Sequence, residues 1–242
     1  MAEALAIPWR RRKDFALALA VPLALLAGLQ LAWYWVTADA REAAEGSIAL
    51  HWTMAILYWG AFGALFTLFA VTCHRLVLLD VRPRGVAPPG WSVREGRFFL
   101  LVIAVWIVYL VLWWLTLLVV ANVWPRFAGD LGESFQLVEA AAKVPALYVV
   151  ARFTLVFPAT AIDRGANLRW AWRASRGNGW RLVVVVTVLP WIVSHVFGLL
   201  HRDQPTPAEI GVLTLAGTAL FAFEIAALSV AYRELAREGA NP

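Results

Sequence analysis

Six apolar stretches, each long enough to cross a bilayer, constrain this chain more than any other feature. A helix needs about 20 apolar residues to cross about 30 Å of hydrocarbon. Stretches of 19 to 24 residues occur at 15–36, 48–71, 98–120, 144–162, 182–200 and 210–232, and together they take in 130 of the 242 residues. β-Branched runs within them resemble buried strands, but strands rarely exceed about ten residues, so length selects helix. No stretch alternates apolar with polar residues, which excludes a β-barrel. Composition agrees: 62 % of residues are apolar and 15 % charged, against roughly 45–50 % and about 25 % in a soluble domain. The expected fold is an all-α membrane protein, a six-transmembrane-helix bundle forming a single polytopic domain over 1–242.

Loop charge sets the orientation, because Lys and Arg accumulate in cytoplasmic loops. With the N-terminus inside, segments 1–14, 72–97, 163–181 and 233–242 hold sixteen basic residues, and 37–47, 121–143 and 201–209 hold four. The corresponding net charges are +9 and −4. Both the N- and C-termini are therefore expected in the cytoplasm. This distribution accounts for the net charge of +5 and the pI near 9.9 without nucleic acid as a partner. Arg10, Arg11, Arg12 and Lys13, the apolar run after them and Ala38-Asp39-Ala40 imitate a secretory signal. A signal core of about 7–15 residues is shorter than this run, so the segment is read as a retained helix. Arg outnumbers Lys 19 to 2 and Ala is abundant, as in GC-rich bacterial genomes; the expected location is the bacterial cytoplasmic (inner) membrane, multi-pass.

Aromatic residues mark the boundaries. Trp33, Tyr34, Trp35, Trp52 and Trp124 fall at the outer surface and Trp9, Trp91 and Trp180 at the inner one, the usual interfacial belt. Trp106, Trp113 and Trp114 lie deeper and are read as packing residues. Ala16, Ala20, Ala24, Gly28 and Ala32 recur every four positions in the first span, and Ala219, Ala222, Ala226 and Ser229 mark the last. Such small faces let membrane helices approach closely, so both are expected to pack against neighbours.

The loop 163–181 is the most distinctive segment. Asn167 is placed to cap a short helix that ends before Gly177. Arg169, Arg173 and Arg176 fall at i, i+4 and i+7, on one face of this amphipathic helix, which is expected to lie in the cytoplasmic headgroup plane and to bind anionic lipid headgroups. Ser92-x-x-Glu95 is a capping box ahead of the third span. Asp80 and Asp163 end the spans before the two inner loops, and Gly96-Arg97 and Gly179-Trp180-Arg181 open the spans after them. A duplicated three-helix unit is one account of this likeness.

Little in the chain points to catalysis. No nucleophile elbow, P-loop, dinucleotide fingerprint or His-Glu-x-x-His occurs. The single cysteine, Cys73, excludes an intramolecular disulfide and a thiolate metal cluster. Ordinary intramembrane or interfacial histidines account for His51 and His195 better than axial haem ligation does. His74 and His201 fit no metal-ligand spacing, and no metal or cofactor is expected. Arg152 and Glu224 are the two deep charges, about 16 Å and about 14 Å from the inner boundary at 1.5 Å per residue. Charges at that depth are costly and functional by default, and the two are expected to pair. Pro158 and Pro190 are expected to kink their helices.

Arg152-Phe-Thr-Leu-Val-Phe-Pro158-Ala159, then Asp163, then the run from Leu168 through Gly177-Asn178-Gly-Trp-Arg to Leu182 resembles a recurring bacterial pattern. It is similar to the membrane domain fused to some glycerophosphodiester phosphodiesterases and to related inner-membrane proteins without assigned activity. The shared features are an intramembrane Arg, a Pro near the span end, an amphipathic cytoplasmic helix and a Gly-aromatic step into the next span. The likeness covers about thirty residues, and the order Trp172-Arg173-Ala174-Ser175 departs from it. It implies an architecture and a compartment, and carries no phosphodiesterase motif. The functional expectation is a non-enzymatic membrane module that interacts with lipid or with a membrane-protein partner, a second copy included. The alternative is a small secondary transporter or permease subunit using Arg152 and Glu224; an integral-membrane enzyme or a haem or quinone protein ranks third.

Overall fold

A computed structural model describes residues 2–43, 48–79, 90–123, 131–192 and 206–238, and every regular element among them is helical. In chain order the helices are α1 (Ala2–Arg10), α2 (Arg12–Ala43), α3 (Ile48–Leu78), α4 (Val93–Val123), α5 (Leu131–Phe153), α6 (Val156–Ala161), α7 (Leu168–Ala174), α8 (Gly179–Val183) and α9 (Pro207–Glu238). α8 runs on through a π-helical turn, Val184–Val188, to residue 192. That turn adjoins Pro190, which has no N–H to offer the Val186 carbonyl. Asp80, Trp124, His195 and His201 lie outside the described residues, as does the side chain of His51.

Five helical segments are long and apolar enough to span a membrane: 12–36, 52–78, 93–123, 137–161 and 211–236. The expected span 182–200 is described only as far as residue 192, within the shorter apolar segment Gly179–Ile192. α4 is the most apolar of the five. Ile107, Val111, Trp114, Leu115 and Leu118 are each more than half exposed along it, an apolar face far larger than a soluble monomer leaves to water. Trp106 and Trp114 thus point out of the bundle, whereas Trp113 is half-buried beneath the Lys143 ammonium, 5.8 Å from its ring centroid.

Two cores hold the helices. In the first, Phe15, Leu19 and Leu26 of α2 meet Phe69, Cys73 and Leu76 of α3 and Ala222, Ile225 and Ala226 of α9. The buried α2 residues recur at i, i+4 and i+11, one helical face. The small-residue stripe of α2 does not form this contact. Ala16, Ala24 and Ala32 are exposed, and a Cβ on Gly28 would meet nothing within 4 Å. Bulky side chains supply the packing area and turn the alanines outward. On α9 the outcome differs: Ala222, Ala226 and Ser229 are buried while Ala219 is exposed. The second core gathers Ala151, Leu155, Val156, Ala171, Leu182 and Leu228, so α5 to α9 close around the segment that the sequence singles out.

The basic segments meet at one end of the bundle. Arg11 Nη1 donates to the Leu76 carbonyl at 2.8 Å, Arg94 reaches Asp163, and Arg164 Nη1 lies 3.4 Å from the Tyr232 hydroxyl. This end carries the candidate site.

Candidate functional site at the basic end of the bundle

Pro158 shapes the site first. Having no N–H, it leaves the Thr154 carbonyl free of its helical donor, and Phe157 N–H fills the gap at 3.0 Å. The helix therefore breaks at Thr154–Leu155 and restarts as α6. α6 ends in a Schellman turn: Asp163 N–H donates to the Thr160 carbonyl at 3.0 Å and Arg164 N–H to that of Ala159 at 2.9 Å. Asp163 takes the left-handed position of this turn, with φ 60°, a conformation that glycine fills without strain and that Asp tolerates better than most residues. The chain then enters α7, where Asn167 Oδ1 accepts from the Trp170 N–H at 2.8 Å.

This reversal lays the C-terminal end of α7 over Arg152. Arg152 is buried, and its Nε donates to Ser175 Oγ at 2.8 Å while Nη2 donates to the Trp172 carbonyl. Its guanidinium carbon stands 3.5 Å from the Trp172 ring centroid and 5.8 Å from that of Tyr148. Among the described residues no carboxylate pairs with it. The negative end of the α7 dipole and two aromatic faces balance the charge instead. The expected pairing with Glu224 is therefore corrected: no ion pair joins the two. Distance along each helix fixed their depths but not their directions, and the break after Phe153 brings acceptors to Arg152 from its own hairpin. Glu224 is half-buried on α9, with no hydrogen bond or ion pair among the described residues.

Beyond Gly177, whose φ is 76°, the chain turns into α8. A Cβ at Gly179 would lie 2.7 Å from the Tyr148 hydroxyl, so this glycine is what allows Tyr148 to sit beside it and meet Trp180 at 5.0 Å between ring centroids. Arg152, Pro158, Asn167, Gly177 and Gly179 thus build one supersecondary unit.

Asp163 is the hub that sequence reasoning did not find. Its carboxylate accepts from Arg94 Nη1 at 2.9 Å and from Arg75 Nη1 at 3.5 Å, and Arg75 also donates to the Ala161 carbonyl at 3.2 Å. Arg94 Nε donates to Glu95 Oε1 at 3.0 Å. Glu95 is buried and also accepts from the Ser92 N–H at 2.9 Å and from the Ser92 hydroxyl. The ends of α3, α4 and α6 are tied through this cluster. The signal for it was present in the sequence as Asp163 just past a helix end and Ser92-x-x-Glu95, but nothing local joined the two.

Two clefts flank the segment 164–166. One, of about 390 Å³, lies against the start of α4 and is lined by Arg94, Arg97, Leu100, Leu101, Asp163 and Arg164. The other, of about 600 Å³, lies between this segment, α7 and α9, with Arg164, Trp170, Arg173 and Tyr232 on its wall. Arg169, Arg173 and Arg176 are exposed, and none has an ion-pair partner among the described residues. His74 is buried with Nδ1 2.7 Å from Ser229 Oγ, a contact within the core. No group of three or more His, Cys, Asp and Glu side chains converges on a metal-sized site among the described residues.

No family model, curated protein or solved structure matches this chain.

Proposed function

We propose that this protein is a non-enzymatic, multi-pass module of the bacterial inner membrane that recognises anionic lipid at its cytoplasmic end. One observation carries the reading. Arg169 and Arg173 on α7, and Arg176 just past it, are exposed without carboxylate partners among the described residues. The exposed Trp172 and Trp180 belong to the same segment. Arginines next to interfacial tryptophans, on a short helix fixed by Asn167 and Arg152, match the chemistry of an anionic headgroup layer. The likeness to the membrane domain fused to glycerophosphodiester phosphodiesterases is part of this proposal, as an architecture and a compartment. The alternative, a small secondary transporter or permease subunit using the intramembrane charges Arg152 and Glu224, draws no support from an ion pair, since Arg152 is engaged by Ser175 and Trp172.

The test is lipid retention by the purified protein. Each arginine near an anionic leaflet is worth about 1 kcal/mol. Replacing Arg169, Arg173 and Arg176 together by Gln is expected to weaken association with phosphatidylglycerol or cardiolipin markedly and to leave phosphatidylcholine unaffected. Unchanged retention would reduce these arginines to determinants of topology.

A further inference from the structure

Resting on that lipid reading, a second and more specific site emerges next to the Asp163 hub. We infer that the cleft between the start of α4 and the 163–166 segment holds the phosphate of a single anionic phospholipid, gripped by Arg97 and Arg164, with its chain leaving along Leu100 and Leu101.

Arg75, Arg94, Arg97 and Arg164 surround two carboxylates, Asp163 and Glu95. Both carboxylates are already engaged, Asp163 by Arg75 and Arg94 and Glu95 by Arg94 and Ser92. Arg97 and Arg164 are exposed with no ion-pair partner among the described residues. Arg164 makes only a long contact, 3.4 Å, to the Tyr232 hydroxyl. Arg97 and Arg164 both line this one cleft, and guanidinium forks match phosphate oxygens bidentately.

The walls then choose the source of the phosphate. Leu100 is 65 % exposed and Leu101 half-buried, and both stand within the apolar segment of α4. A charged rim that continues into a hydrocarbon-facing wall fits an amphiphile, whereas a soluble phosphate ester gains nothing from the leucines. The volume of about 390 Å³ lies near the lower end of ligand-site sizes, room for a headgroup with the chains left in the bilayer. The surplus of arginine disfavours a headgroup that carries its own cation. Asp163 fixes the rim, because its Schellman turn and its two arginine partners hold the 163–166 segment against α4.

Native mass spectrometry of the detergent-purified full chain tests the site. Phosphatidylglycerol, phosphatidylcholine and soluble glycerol 3-phosphate serve as probes. One tightly held phosphatidylglycerol is expected, with weaker retention of phosphatidylcholine and none of glycerol 3-phosphate. The double variant Arg97→Gln/Arg164→Gln is expected to lose affinity by about tenfold or more, the loss of at least one charge-assisted hydrogen bond. Gly165→Phe supplies a second route with every arginine intact: a Cβ there meets nothing within 4 Å, so the ring enters open space beside both clefts. It too is expected to displace the bound lipid. Wild-type retention in both variants, or phosphatidylcholine held equally well, overturns the site. Tight binding of glycerol 3-phosphate overturns the lipid assignment. The α7 triple-Gln variant separates the two proposals: with this site correct it keeps its single bound lipid even if its bulk preference for anionic vesicles is lost. If the triple variant alone loses the bound lipid, the grip belongs to α7 and the cleft assignment fails.

Discussion

Replacing Arg152 by Met measures what holds the 152–182 hairpin together. The guanidinium makes two hydrogen bonds, to Ser175 Oγ and to the Trp172 carbonyl, and lies over the Trp172 ring. Hydrogen bonds to a charged group are worth about 1.5–3 kcal/mol each, and a desolvated cation–π contact about 2 kcal/mol. Two effects oppose their loss. Met spares the desolvation of a buried cation, several kcal/mol in general, and Ser175 Oγ keeps its own bond to the Trp172 carbonyl at 3.1 Å. The net cost is expected to be about 2 kcal/mol, a fall in melting temperature of roughly 4–8 °C for a chain of this size. Ser175→Ala, which leaves the cation in place with one acceptor fewer, is expected to cost about as much. The assay is thermal unfolding in detergent, followed by tryptophan fluorescence, across the cycle of Arg152→Met, Ser175→Ala and the double variant. Residues in direct contact couple by about 0.5–3 kcal/mol, whereas separated ones add within about 0.5 kcal/mol. Arg152 is therefore expected to couple to Ser175 and to add simply with Glu224→Gln. Strong coupling to Glu224, with none to Ser175, would refute the reasoning and restore the intramembrane pair.

Gly179→Ala places a Cβ 2.7 Å from the Tyr148 hydroxyl; it is expected to cost about 1–3 kcal/mol in melting experiments, and Tyr148→Leu in the same chain to recover most of it. Gly28→Ala, in open space, is expected to be neutral or to stabilise by about 0.5–1 kcal/mol through helix propensity; destabilisation of that variant would show a close partner on the outward face of α2. Asp163→Ala is expected to melt lower than Asp163→Gly by about 1 kcal/mol, because only glycine accepts φ 60° without a Cβ penalty; the reverse order would deny the strain. For the proposed topology, reporter fusions at residue 242 and within 125–140 are expected to read cytoplasmic and periplasmic respectively; a periplasmic C-terminus would reject the orientation.

Much of this molecule is legible from local pattern. Helix was forced by the length of the apolar runs, because the backbone of a membrane-crossing segment must satisfy its own hydrogen bonds. The caps at Asn167 and at Ser92 were equally local. Asn167 sits three residues from the N–H it accepts from, and Glu95 three residues from Ser92, and such pairs need no knowledge of the rest of the fold. What remained illegible was direction around each helix axis. The alanine stripe of α2 and the buried run Phe15, Leu19 and Leu26 are both periodic, and which face packs depends on what α3 and α9 offer it.

By itself, then, the sequence determined an all-helical chain with segments long and apolar enough to cross a membrane, its cap residues, and a short helix in the basic loop carrying Arg169 and Arg173, since each follows from spacing within a few residues. Only the tertiary structure decided the partner of Arg152, the outward turn of the α2 alanines, and the meeting of Arg75, Arg94 and Asp163. The contacts of Arg152 and of Asp163 join residues between 20 and 88 positions apart. Their existence depends on a helix break at Thr154–Leu155 and a left-handed Asp163, which redirect the chain by angles that no periodicity encodes.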